Sequence, residues 1–149
     1  MEGPNEDIFV YKHVVRPEEI DPLGHASNVA YVQWMQDAAV AHSTALGWPG
    51  SRYMELGAGW VVRSHQIEYL HPARLGDTVV IRTWVASMER TRSLRRYEMF
   101  RQSDGRLLAR AETLWAFIDF ATGNVRRIPP EIAQAFPLRR SENSREPST

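Results

Sequence analysis

The spacing of apolar positions changes several times along this chain, and each change marks an element. Near Ile8 to Val15, Phe9, Tyr11 and Val14 give a strand pattern that Arg16-Pro17 closes. From about Asn28 to Leu46, Val32, Met35, Ala39 and Ser43 recur at steps of three or four residues. Tyr31, Ala38, Ala45 and Leu46 widen that face, and Gly47 and Pro49 stop the helix. Small residues at Ala38, Ala39, Ala41 and Ala45 let a sheet come close, which predicts a helix enclosed by protein. A loop rich in glycine (Gly50, Gly57, Gly59) follows. Strands are then predicted near Trp60 to Leu70, Thr78 to Met88, Ser93 to Gln102 and Leu107 to Phe120, with turns at Leu75-Gly76-Asp77 and Ser103-Asp104-Gly105. In the last strand Ala109, Ala111, Thr113, Trp115 and Phe117 alternate with Arg110 and Glu112, as expected when one face meets a core. Thr122-Gly123-Asn124 is expected to turn the chain into a short edge strand, and Pro129-Pro130 to open a small helix near Glu131 to Phe136.

One strand, one long helix and a run of antiparallel strands make an α+β arrangement, because the helix must bury its broad face against a sheet. The simplest solution wraps the sheet around the helix. At 149 residues, 43% of them apolar, the chain suits one domain over residues 1–138, followed by a polar tail over 139–149 that is expected to fray.

Charge and cysteine content narrow the function classes. Eighteen basic side chains balance eighteen acidic ones, so no global field draws nucleic acid or anionic membrane. With no cysteine there is no disulfide, no thiolate nucleophile and no cysteine zinc site, and His65 and His71 lack the companions of a metal centre. The first residues lack the features of a signal peptide, and no apolar run is long enough to span a bilayer. A cytoplasmic protein with no nucleic-acid partner, no membrane span and no metal is expected.

The loop before the helix holds the candidate chemistry. Asp21-Pro22-Leu23-Gly24-His25-Ala26-Ser27-Asn28-Val29-Ala30-Tyr31 resembles the active-site segment of hotdog-fold acyl-CoA thioesterases, the 4-hydroxybenzoyl-CoA thioesterase-like group. That pattern runs roughly Asp-x-x-Gly-His-x-Asn-Asn-x-x-Tyr, with Ser27 here where the first Asn is frequent. Tyr69-Leu70-His71-Pro72-Ala73-Arg74-Leu75-Gly76-Asp77 is similar to the group's second signature, Tyr-x-x-Pro-Ala-x-x-Gly-Asp. The resemblance implies a hotdog fold, cofactor-independent hydrolysis of acyl-CoA to a carboxylic acid and free CoA, and a homodimer or homotetramer with sites at the subunit interface.

Thioester hydrolysis needs a base or nucleophile beside the carbonyl carbon and donors for the oxygen that becomes negative. The resemblance assigns the first task to Asp21, as nucleophile or general base, and the second to the backbone N–H of Asn28. Helix-start amides lack intrahelical partners and lie at the positive end of the macrodipole, so the assignment is physically sound. His25 is expected to position the loop or the substrate, Gly24 to supply backbone geometry close to it, and Tyr31 to pack or line the pocket. Asp37, on the helix, is a rival carboxylate.

Arg90, Arg92, Arg95 and Arg96 are candidate contacts for the CoA phosphates. A solvated strand face paired with Glu89 and Glu98 explains the same residues. Trp48, Tyr53, Met54 and Trp60 either border an acyl pocket or belong to the core. An acyl-carrier-protein thioester is the neighbouring substrate class. A hydratase acting on an acyl thioester, and a non-catalytic acyl-CoA binding or sensing module, are the competing readings.

Overall fold

The computed structural model describes residues 7–139. Strand β1 (Phe9–Val14) leads through a single 3₁₀ turn (Pro17–Glu19) and the Asp21 loop to helix α1 (Asn28–Ala45). A short helix α2 (Gly50–Leu56) precedes strands β2 (Ala58–Tyr69), β3 (Thr78–Met88), β4 (Arg92–Arg101) and β5 (Leu107–Asp119), and helix α3 (Pro130–Ala135) closes the described chain. The sheet order is β1-β3-β4-β5-β2, with every neighbour antiparallel, so β1 and β2 are its edges.

Ser27 starts α1 by accepting the Ala30 N–H on its hydroxyl. The helix buries Ala30, Tyr31, Trp34, Met35, Ala38, Ala39 and His42, alternating steps of one and three residues, and so presents a continuous stripe to the sheet. Two apolar clusters form along it. Tyr31, Trp34 and Met35 pack with Val79, Ile81, Tyr97, Met99 and Leu108. Beyond the far end of α1, Trp48 and Tyr53 pack with Val85, Phe117, Ile132 and Phe136.

Between the clusters lies a polar seam. Arg95 on β4 donates through Nη1 to His42 Nδ1 (3.0 Å) and to Thr83 Oγ1 on β3 (3.1 Å). His65 Nδ1 on β2 is 2.8 Å from Thr113 Oγ1 on β5.

The α+β arrangement with an antiparallel sheet against the long helix agrees with the sequence pattern. Three details differ. The glycine-rich stretch after Pro49 contains α2, which the pattern hides because the helix has seven residues and one buried side chain, Tyr53. The Thr122 turn leads only to an isolated bridge between Ile118 and Val125, not a strand. Within α1, Trp34 and His42 are buried while Val32 is only half-buried, so the stripe is rotated slightly from the predicted one. The expected tail lies outside the described residues beyond Arg139.

Candidate active site

Asp21 occupies a turn that closes on itself. Its N–H donates to the His25 carbonyl (2.8 Å), its carbonyl accepts from the Gly24 N–H (2.9 Å), and Ile20 bridges Ala26. Gly24 has φ +85°, a left-handed conformation that side chains resist, so the turn requires glycine there. The Asp21 carboxylate accepts the Leu23 N–H (2.9 Å) and the His25 N–H (3.1 Å), both on Oδ1. Oδ2 therefore has no hydrogen-bond partner among the described residues and is left for water or substrate. His25 contributes its backbone to this turn, and its half-buried imidazole has no hydrogen bond to the described residues.

Seven residues after Asp21, α1 begins. Ser27 satisfies the third N–H of the helix, and the N–H groups of Asn28 and Val29 before it have no acceptor among the described residues. Both residues are exposed. A free carboxylate oxygen and unpaired helix-start amides thus share one short segment, at the end of α1 that favours negative charge.

The segment is anchored by a residue that the sequence pattern does not single out. The Glu19 carboxylate takes His13 Nε2 (2.8 Å), the Arg16 N–H (2.9 Å) and the indole N–H of Trp34 (3.0 Å), tying the loop to β1 and to α1. Burial alone would raise the Glu19 pKa, but His13, the Arg16 amide and Trp34 outweigh it and hold it down to about 2.

Tyr31 belongs to this scaffold. It is buried, its hydroxyl accepts the Ala73 N–H (3.0 Å), and the Ala73 carbonyl accepts the Ala26 N–H (2.8 Å). The two sequence signatures therefore dock onto each other. Asp77 of the second signature accepts from the Arg74 N–H and from Arg101, whose Nη2 also donates to the Pro72 carbonyl. Asp37 lies on α1 and accepts from Gln33 Nε2 (3.0 Å).

The arginines do not form one patch. Alternation along β4 sends Arg95 to the helix side of the sheet and Arg92 and Arg96 to the other. Arg96 faces Glu112 at 3.8 Å and Arg92 is exposed, so the three guanidinium groups cannot converge on one phosphate. This corrects the expectation of a single cluster; the paired strand face is the arrangement found for Arg96.

A cavity of about 360 Å³ opens between the second half of α1, α2 and the inner face of the sheet. Trp48, Tyr53, Met54 and Trp60 all line it, with Trp48 and Tyr53 serving the core as well. Val40 and Met54 at the lining are 60% and 69% exposed, which marks an open side. The Tyr53 hydroxyl is held by Ser43 Oγ (2.9 Å) and the Trp60 indole N–H (3.1 Å). Asn28 and Val40 are twelve residues apart on one helix, roughly 18 Å at ~1.5 Å per residue, so within one chain the cavity and the Asp21 loop are separate.

The residues 15–136 match the model of a protein family described as the thioesterase-like superfamily. The chain belongs to that family. A chloroplast dodecanoyl-[acyl-carrier-protein] hydrolase of Cinnamomum camphora is 27% identical over 137 residues, covering 87% of this chain and 36% of that protein. The chain thus spans about a third of that relative's length. The solved 1,4-dihydroxy-2-naphthoyl-CoA thioesterase of Synechocystis superposes with a TM-score of 0.80 at 19% identity, covering 87% of this chain and 95% of that one. A Thermus thermophilus protein superposes equally well, at TM-score 0.80 and 28% identity, over 86% of this chain and 96% of that one. The fold shared with these two structures is the hotdog fold: an antiparallel sheet around a long helix. Among the described residues no helix is long and apolar enough to cross a membrane, and no group of three His, Cys, Asp or Glu side chains is placed to hold a metal ion.

Proposed function

We propose that this protein hydrolyses acyl thioesters, releasing a carboxylic acid and a free thiol, at a site assembled from two copies of the chain. The observation that carries the reading is the Asp21 turn: one carboxylate oxygen is fixed by two backbone N–H groups, the other is free, and unpaired α1 amides follow.

In this reading Asp21 Oδ2 attacks the thioester carbonyl carbon or takes a proton from the water that does. The carbonyl oxygen gains negative charge and is held by the Asn28 N–H, which needs no reorganisation to receive it. His25 positions the turn and borders the bound acyl group, with Gly24 allowing the close approach.

Pairing of two β2 edges supports the two-copy site. The C-terminal end of β2 carries the α1 start, since the Tyr69 hydroxyl donates to the Asn28 carbonyl (3.1 Å). The N-terminal end of β2, at Gly59 and Trp60, lines the cavity. Antiparallel pairing sets one copy's C-terminal end beside the other's N-terminal end, so each Asp21 would face its partner's cavity. The pairing would also cover the exposed edge of β2.

Coenzyme A is the leading carrier, in keeping with the CoA thioesterase of the same fold. The acyl-carrier-protein name of the plant relative favours the other carrier, and matched thioesters on both would decide between them. The direct test is thiol release from a panel of aliphatic and aryl acyl-CoAs by wild type and Asp21→Asn. Turnover by wild type with a loss of at least about a hundredfold in the variant supports the reading; no turnover on either carrier, or equal rates in a folded variant, defeats it.

A further inference from the structure

Arg95 is 5% exposed and lines the cavity, yet no carboxylate among the described residues pairs with it. Its two side-chain hydrogen bonds both come from Nη1, to His42 and Thr83, which are neutral acceptors. Nε and Nη2, the edge of the guanidinium that matches a carboxylate with two parallel bonds, donate to nothing among the described residues. The Tyr97 hydroxyl, two residues along β4 on the same face as Arg95, has the Thr113 hydroxyl and the indole N–H of Trp115 as neighbours, so these groups serve one another and leave the Arg95 edge as the unused donor set. Ser93 lines the same wall.

A buried cation without a counter-charge is costly. Most of the remaining lining is apolar or aromatic, with Val40, Trp48, Met54, Trp60, Phe120 and Phe136 among it, and the hydroxyls of Ser43 and Tyr53 are bonded to each other. A mostly apolar wall holding one cation with an unused bidentate edge is complementary to a ligand that is apolar except for one anionic oxygen group.

We propose that the cavity takes an acyl group ending in a carboxylate, so that the substrates are monothioesters of dicarboxylic acids and Arg95 reads the far carboxylate. The proposal rests on the thioesterase reading and deepens it. The acyl methylenes lie between the aromatic rings, the thioester stays at the open side near Val40 and Met54, and the far carboxylate bridges Nε and Nη2 of Arg95. Arg95 is then a specificity residue and takes no part in bond cleavage. Its cost in the empty protein is recovered only when a ligand of this class is bound.

The experiment compares suberoyl-CoA, octanoyl-CoA and a hydroxyaryl-CoA as substrates of wild type, Arg95→Lys and Arg95→Met. The chain has no cysteine, so a thiol reagent reports released CoA alone. Expected is a kcat/KM at least about tenfold higher for suberoyl-CoA than for octanoyl-CoA in wild type, a smaller preference in Arg95→Lys, and a ratio near one or inverted in Arg95→Met. Equal or better use of octanoyl-CoA by wild type overturns the proposal, as does an Arg95→Met variant that keeps the preference. Selective use of the hydroxyaryl thioester overturns the carboxylate assignment in favour of a phenolate. If Arg95→Met does not fold, the wild-type ratio and Arg95→Lys decide. If no thioester is cleaved, the thioesterase reading fails on its own, and calorimetry with free suberate and octanoate tests the cavity. Suberate binding that Arg95→Lys weakens supports the carboxylate site; failure of suberate to bind wild type more tightly than octanoate overturns it.

Discussion

The indole N–H of Trp34 donates to the carboxylate of Glu19 at 3.0 Å, joining the buried face of α1 to the residue two positions before Asp21. Trp34 is fully buried and fixed by the core, so its N–H is a rigid post. Glu19 in turn accepts the Ser27 N–H on its backbone carbonyl, which links both ends of the Asp21 loop. Glu19→Ala removes the acceptor for a buried indole N–H and for His13, and is expected to cost about 1–3 kcal/mol of stability, read by urea unfolding. Its kcat should fall more than its KM changes, because the loop that aims Asp21 loses its anchor.

The same carboxylate sets an acid limit. Its folded pKa of about 2 lies below the 4.5 of an ordinary glutamate, so the folded state favours the deprotonated form. That contribution is present above about pH 4.5 and is lost as the pH falls through about 2. Glu19→Gln should flatten the stability profile across that window and leave the slope above pH 5 unchanged.

His42 dominates a higher window. Burial, with the Arg95 charge beside it, pushes its pKa from 6.5 to about 3, so folding holds it neutral with Nδ1 accepting from Arg95. Unfolded chains take up a proton there as the pH falls below 6.5, and stability should decline toward pH 3 by up to about 1.4 kcal/mol per pH unit. His42→Gln keeps an acceptor but cannot titrate, and its urea midpoint should vary less between pH 6.5 and 5.

Tyr31→Phe separates scaffold from chemistry. The variant leaves the Ala73 N–H without its acceptor, and a loss of about 1–3 kcal/mol in unfolding free energy is expected. Because the hydroxyl supports the contact between the two signatures, kcat should fall only within about tenfold. A loss comparable to that of Asp21→Asn would place the hydroxyl in the chemistry instead.

A site built from two copies permits complementation. Asp21→Asn lacks the carboxylate, and Ala39→Trp fills the cavity of its own chain, so each is expected to be inactive alone. Mixed dimers hold one intact pairing of Asp21 with an open cavity. Refolding the two variants together should restore thiol release toward a quarter of the wild-type rate. Recovery of none would assign each active site to a single chain.

Much of the molecule was legible from local pattern. The alternation in β3 to β5, the spacing in α1 and the Ser27 cap are short-range properties, and each element formed where its residues called for it. The Asp21 turn was also readable, because Asp-Pro, Gly24 and a helix start compel that geometry within a few residues. Glu19 escaped notice because its partners come from β1 and α1, and no spacing in the sequence brings His13 and Trp34 to it. Of the two readings open for the arginines, the single cluster fails for Arg95 because strand alternation turns it to the opposite face from Arg92 and Arg96.

Sequence alone thus determined α1 and the five strands, the family motifs and the loop that holds the carboxylate, since those follow from backbone preferences over a few residues, while the short helix α2 and the missing edge strand after Thr122 escaped it. Tertiary structure decided that the two motifs hold each other through Tyr31 and Ala73, that the cavity lies about 18 Å along α1 from the Asn28 amide, and that Arg95 is buried there without a carboxylate. These are relations between strands and a helix far apart in the chain, fixed only when the sheet closes over α1 and chooses which side chains turn inward.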